Sequence, residues 1–203
     1  MTTIILASAS PRRRELLSKL SLPFSVIPSD AEETAAEEGA SPEDLVLDLS
    51  MLKASDIAEK LAEKKVALPE KANPDDILVI GADTIVVRDG VVLGKPADET
   101  DAIRMLSTLQ GRSHDVFTGV TLIHIRDGRE TVRAFAEKTE VQVAPMKPEE
   151  IRAYVAEGES LDKAGAYGIQ GSFCRFISGI GGDYFNVVGL PIAALYQELK
   201  KVL

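Results

Sequence analysis

Tryptophan is absent from this 203-residue chain, cysteine occurs once and histidine twice. Each scarcity removes a class of explanation. The single cysteine, Cys174, excludes an internal disulfide framework and suits a reducing compartment, so a cytoplasmic location is expected. Two histidines, His114 and His124, with no cysteine pair leave a structural zinc site without ligands. No apolar run approaches the roughly 18 residues of a membrane-spanning helix. The opening "MTTIILASAS" has no basic segment ahead of its short apolar run, so no signal peptide is expected. The glycine signatures GxGxxG and GxxxxGK followed by Ser or Thr do not occur, which removes the two standard nucleotide-loop signals. Positive charge is also in deficit: 23 Lys and Arg face 32 Asp and Glu, for a net charge of −9. Such a surface cannot displace counterions from a long polyanion, so neither nucleic acid nor membrane is an expected partner.

What is present is a globular composition, with 45% of residues apolar, and a length that suits one large domain or two small lobes sharing a core, with residues 1–203 expected to form a single functional domain. "TTIILAS" reads as a buried strand. Ser10 and Pro11 open a helix as N-cap and first helical residue, with Leu16, Leu17 and Leu20 on its buried face. "FSVIPS" reads as a second strand, followed by the acidic loop "DAEETAAEEGA". Ser41 caps a second helix that keeps apolar spacing to about Glu63. "ILVIGAD" is expected to be a strand ending at Gly-Ala-Asp, and "TIVVRDGVVL" a hairpin about an Asp-Gly turn. Asp98 caps a third helix. Two strands between Val116 and Val143 flank a second Asp-Gly turn, and a helix from Pro148 is stopped by Gly158. Asp162 to Gly189 is glycine-rich and predicts strands joined by tight turns. "PIAALYQELKKVL" closes the chain as an amphipathic helix with Ile192, Leu195, Leu199 and Val202 on one face. Strands and helices mix without a strict βαβ rhythm, which predicts an α/β fold with a mixed sheet.

Three arginines, Arg12, Arg13 and Arg14, stand in the first turn of the first helix. Cations there oppose the helix dipole, so they gain most when an anion is bound among the free N–H groups of that turn. The arginine fork suits phosphate; the competing reading is a solvated patch pairing with Glu15 or Glu32. Asp83 is expected just past its strand, where open α/β sheets place ligands, and can hold a divalent cation and orient water or simply close a turn. Glu32 or Glu33 can add a second carboxylate. Lys53, Lys95 and Lys163 are candidate phosphate partners, with surface exposure as the default for each. "DKAGAYGIQG" lets backbone approach something flat, and the Gln170 amide can read a base edge or belong to a tight turn. Cys174 is expected to be a small core residue.

Taken in order, "LASASPRRRELL", "GADTIVV", "GKP", "GRSHDVFTGV", "DKAGAYGIQG" and "GDYFNVVGLP" resemble the Maf family of nucleoside triphosphate pyrophosphatases, from about Ile4 to Leu199. The resemblance implies cleavage between the α and β phosphates of a nucleotide, giving a monophosphate and pyrophosphate. It implies a divalent metal, Mg²⁺ or Mn²⁺. It also implies a fold related to inosine triphosphate pyrophosphatases: an elongated mixed sheet flanked by helices, two lobes with a central cleft, and a homodimer. By position, Asp83 would activate water, and Glu33 would join it at the metal. Ser8, Arg12 and Arg13 would hold phosphates, and Lys53 and Lys95 would neutralise their charge. Arg12, Thr84 and Gln170 match positions linked to substrate choice in the branch that resembles dTTP/UTP pyrophosphatases. Gly94 stands where the family often carries a glutamate, the stretch after "GIQG" lacks a common glycine pair, and "EKKVALPEKANPDD" reads as a surface insertion. A competing reading is a nucleotide-binding regulator of septum formation without turnover.

Overall fold

The computed structural model describes residues 1–32 and 39–203. The chain opens with strand β1 (Thr3–Leu6), helix α1 (Pro11–Ser18) and strand β2 (Phe24–Val26). Helix α2 (Pro42–Ala62) follows, then strands β3 (Asp76–Arg88) and β4 (Val91–Leu93), helix α3 (Glu99–Leu109), and strands β5 (Ser113–Arg126) and β6 (Arg129–Val143). Helix α4 (Pro148–Ala156), strand β7 (Ile177–Gly181) and helices α5 (Tyr184–Val188) and α6 (Ile192–Val202) complete it. A seven-stranded mixed sheet runs β2-β1-β3-β5-β6-β7, with β4 paired to β3. β1 lies parallel to both β2 and β3, Ile4 standing opposite Phe24 and Leu78. Central parallel strands covered on both faces read as unbroken apolar runs, and Ile77, Leu78, Val79 and Ile80 are all buried.

The helix ends follow from local chemistry. The hydroxyls of Ser10 and Ser41 accept from the N–H groups of Arg13 and Asp44, and the Asp98 carboxylate accepts from that of Asp101. Gly158 takes a positive φ of 81° after α4. Both Asp-Gly turns, at residues 89–90 and 127–128, have two successive positive φ angles, the mirror-image turn that matches the twist of paired strands.

Two of the sequence expectations are corrected. β3 does not end at Gly-Ala-Asp: it continues through Gly81, Ala82 and Asp83 to Arg88. The small residues there admit a helix against the strand rather than terminating it. The glycine-rich stretch from Asp162 to Gly189 is not a set of strands. It holds two short 3-10 turns (Ala164–Ala166 and Ser172–Phe176), the single strand β7 and helix α5, because side chains and carbonyls take up backbone donors that a ladder would use.

The chain divides into two compact units. The first comprises Met1–Asp83, Thr118–Ala136 and Gly189–Leu203; the second comprises Thr84–Phe117 and Glu137–Val188. The core of the first is aliphatic, built on Ile5, Ala54, Ile57, Val79 and Ile123, with Leu61 and Leu68 packed against it. The second is aromatic. Phe173 lies 5.0 Å from Tyr154 and 4.7 Å from Tyr167 between ring centroids, and His114 meets Tyr167 edge-on at 5.3 Å. Among the described residues no helix is long and apolar enough to cross a membrane.

Candidate active site

In the first unit, the turn between β1 and α1 is tied by its own serines. Ser8 is buried, and its hydroxyl accepts from the Ser10 N–H at 3.3 Å and from Arg13 Nη1 at 3.3 Å. Arg13 Nε donates to the Gly189 carbonyl at 2.8 Å. The guanidinium is thus held at two points before any ligand arrives, and Arg12 beside it is half-buried. Arg14 is exposed. The first turn of α1 contains no acidic residue, so its dipole and its arginines together present a positive surface.

Asp83 stands inside β3, 9% exposed, and its Oδ1 accepts a hydrogen bond from the Lys53 ammonium of α2. Two glycines explain why these groups meet. A Cβ on Gly81 would lie 2.2 Å from the Ser50 carbonyl oxygen and 2.8 Å from the Ala54 nitrogen, and one on Gly119 of β5 would lie 2.1 Å from the Val46 carbonyl oxygen. The backbone of α2 therefore rests directly on the sheet, and the Ser50 hydroxyl is bonded to that of Thr121 at 2.8 Å. Lys53 lies on the helix between Ser50 and Ala54, and Asp83 lies two residues beyond Gly81. The close approach brings them together.

In the second unit, Thr84 continues β3 and is half-buried, while Lys95 is exposed just after β4. The Gly94 carbonyl accepts from the Gly165 N–H at 3.0 Å, which ties the Lys95 turn to the segment carrying Gln170. Gly165 has φ +68°, and a Cβ there would meet the Val86 side chain at 3.0 Å. Gln170 is exposed in a tight turn closed by the Gly171 N–H on the Gly168 carbonyl at 3.1 Å, with Ile169 buried beneath it. Lys163 is not directed at a phosphate site: its ammonium donates to the Glu159 carbonyl at 2.7 Å and to Asp162 Oδ1 at 2.6 Å. Cys174 is exposed, not a core residue, because the 3-10 turn buries Phe173 and Phe176 instead.

Glu33 lies outside the described residues, together with Glu37 and Glu38. Among the described residues no three His, Cys, Asp or Glu form a metal-binding group, and the carboxylate that these residues place at the site is that of Asp83. That donor set fits an ion of the Mg²⁺ type, which keeps several waters and takes one or two carboxylates with substrate phosphates.

Some supporting contacts are not announced by local sequence. The Gly189 carbonyl that orients Arg13 is backbone, 176 positions away in the chain. The Tyr154 hydroxyl, which accepts from the Gly168 N–H at 3.2 Å, is buried, and desolvation pushes its pKa up to about 12. Only the helical spacing of α4, which places Tyr154 on the same apolar face as Ile151 and Val155, marks it as inward-facing.

A family profile described as Maf-like protein matches residues 3–202. A dTTP/UTP pyrophosphatase of Agathobacter rectalis is 50% identical over 203 residues, covering 100% of this chain and 98% of its own. A dTTP/UTP pyrophosphatase of Bacillus cereus is 47% identical over 201 residues, 99% of this chain and 96% of its own. One of Bacillus thuringiensis is 46% identical over the same length, with the same coverage.

Proposed function

The chain belongs to the Maf-like protein family, and on that premise we propose that it hydrolyses the α–β phosphoanhydride of nucleoside triphosphates, dTTP and UTP foremost. The products are a nucleoside monophosphate and pyrophosphate. The observation that carries the reading is the Lys53–Asp83 pair, a carboxylate set within a strand and engaged by an ammonium from the overlying helix. A regulator that only bound nucleotide would have no need of a buried carboxylate placed to orient water.

Phosphoryl-type displacement depends on positioning and charge neutralisation more than on covalent help. With Oδ1 engaged by Lys53, Asp83 Oδ2 accepts the proton of the attacking water. Arg13, already oriented by Gly189 and Ser8, donates to phosphate oxygens together with Arg12. The Ser8 hydroxyl accepts from the chain and has its own proton to give to a phosphate. Lys53 and Lys95 offset the negative charge that grows on the leaving pyrophosphate. Thr84 and Gln170, with Arg12, set the choice of base. A divalent cation, Mg²⁺ or Mn²⁺, held by Asp83 and Glu33 would supply Lewis-acid polarisation of the phosphate oxygens. Residues 1–203 act as one catalytic domain, in the cytoplasm and as a homodimer.

A product assay over the eight standard nucleoside triphosphates, with Mg²⁺ or Mn²⁺, tests this reading. Pyrophosphate released mainly from dTTP and UTP is the expected outcome. Orthophosphate as first product would move the cut to the β–γ bond, and binding without turnover would favour the regulator. Asp83→Asn should lower kcat by at least about 10²–10³-fold while retaining the native Tm within a few degrees. Near-normal turnover by that variant would remove Asp83 from the role of base.

A further inference from the structure

The turn that presents Gln170 is braced on both sides by side chains that no reading of the reaction has used. On its entry side, the Gly168 N–H donates to the buried Tyr154 hydroxyl at 3.2 Å. On its exit side, the Glu159 carboxylate accepts from the Ser172 N–H, at 3.1 Å through Oε2 and 3.4 Å through Oε1. That carboxylate lies so close to the chain that a Cβ on Gly171 would stand 2.0 Å from Oε2 and 2.8 Å from Oε1. Glu159 is held in turn, since its carbonyl accepts from Lys163 Nζ at 2.7 Å. The stem of Lys163 packs on Gly168, where a Cβ would meet Cε at 2.7 Å. The Glu159 carboxylate therefore holds the exit end of the turn at Gly171 and Ser172, while its main-chain carbonyl anchors the lysine whose stem covers Gly168 at the entry end. Gln170 is the exposed residue between those ends, and Ile169 is its buried neighbour.

A side-chain amide carries donors and an acceptor on one flexible stem. It can discriminate between bases only if the backbone beneath it is fixed, because an unfixed stem can present either edge. A carboxylate is well suited to fixing it: charge-assisted hydrogen bonds to backbone N–H groups are stronger than neutral ones. We infer that Glu159 is a positioning residue for substrate choice, acting through the Gly168–Ser172 turn to hold the Gln170 amide in its reading orientation. The inference rests on the proposed role of Gln170 in selecting the nucleotide.

The test is a double-mutant cycle measured by pyrophosphate release with dTTP, UTP and dCTP. Gln170→Ala alone examines the underlying reading: it should raise KM for dTTP and narrow the gap between dTTP and dCTP. If it leaves both unchanged, the role of Gln170 fails and the positioning role falls with it. Given that effect, Glu159→Ala should raise KM for dTTP about tenfold, the equivalent of about 1.4 kcal/mol, with kcat changed less than about twofold. Glu159→Gln keeps an acceptor oxygen and should recover most of that loss. The double variant should be no worse than Gln170→Ala, since two residues acting through one contact are not additive. Unchanged KM and selectivity in Glu159→Ala, or penalties that simply multiply in the double variant, would overturn the inference while leaving the role of Gln170 standing. A lowered Tm with KM and selectivity intact would show a purely structural brace and overturn it equally.

Discussion

At position 13 a guanidinium is held at two points, Nε on the Gly189 carbonyl and Nη1 on the Ser8 hydroxyl. An ammonium has no planar fork with which to repeat that arrangement while still facing an anion. Arg13→Lys should therefore lower kcat/KM for dTTP by about 10–100-fold, a hydrogen bond to a charged group being worth about 1.5–3 kcal/mol. Arg14→Lys, at an exposed position, should leave kcat/KM within about twofold. Equal effects of the two substitutions in steady-state kinetics would detach Arg13 from the phosphates. The capped helix start with three arginines in its first turn is legible in the sequence, because a serine cap followed by proline is a local signal. The separate fates of the three arginines were partly visible. The partner that distinguishes Arg13 is a carbonyl at the far end of the chain, and no local pattern announces it.

Helix α2 is the element on which the site depends. Its capped start at Ser41 and its end near Glu63 are legible from Ser-Pro-Glu-Asp and from the apolar spacing, as are the other caps and both Asp-Gly turns. The continuation of β3 through Gly81 is not, because what Gly81 provides is room for Ser50 and Ala54 of a helix that ends well before the strand begins. Glycine and alanine followed by aspartate have the composition of a turn, and only the packed helix converts them to strand interior. The same holds for Lys53: alone it reads as one more surface lysine, and its tie to Asp83 comes from the seam. Gly81→Ala forces the helix off the strand, so it should cost about 1–3 kcal/mol of stability, or roughly 2–4 °C in Tm per kcal/mol for a chain of this size. It should also reduce kcat sharply by parting Lys53 from Asp83. Ser41→Ala removes the cap of the same helix for about 1 kcal/mol and should leave kcat unchanged. If both variants lose stability alike and both keep normal kcat, the seam has no part in assembling the pair.

For the molecule as a whole, two groups outside the proposed site, His114 and Asp76, contribute to acid stability in separate pH windows. His114 is buried against Tyr167, with Nε2 2.7 Å from the phenolic oxygen. Desolvation lowers its pKa from 6.5 to about 4, Asp115 opposing and Arg88 assisting. The unfolded chain then binds the extra proton first. The contribution of His114 is complete above about pH 6.5 and is lost as pH drops toward 4, by a total of about 3 kcal/mol. Asp76 acts in a lower window. Burial opposes its ionisation, but hydrogen bonds from His124, Arg126 and Thr2 outweigh this and hold its pKa below 3.8. Its contribution is therefore present above that value and lost as pH falls beneath it. Chemical denaturation between pH 4 and 7 should show the His114 slope in the native chain and not in His114→Gln, which keeps a polar atom for Tyr167. A slope unaltered by the substitution would assign it to other groups.

The outward-facing thiol of Cys174 has a practical use unrelated to chemistry at the phosphates. It is the chain's only cysteine, and its N–H is bonded to the Gly171 carbonyl at 3.1 Å, next to Gln170 in the chain. A maleimide dye would attach once per chain, without mutagenesis, at the margin of the turn that carries Gln170. The native sequence therefore comes with its own fluorescent reporter position, and a stopped-flow signal on mixing with dTTP is what the proposed role of Gln170 predicts.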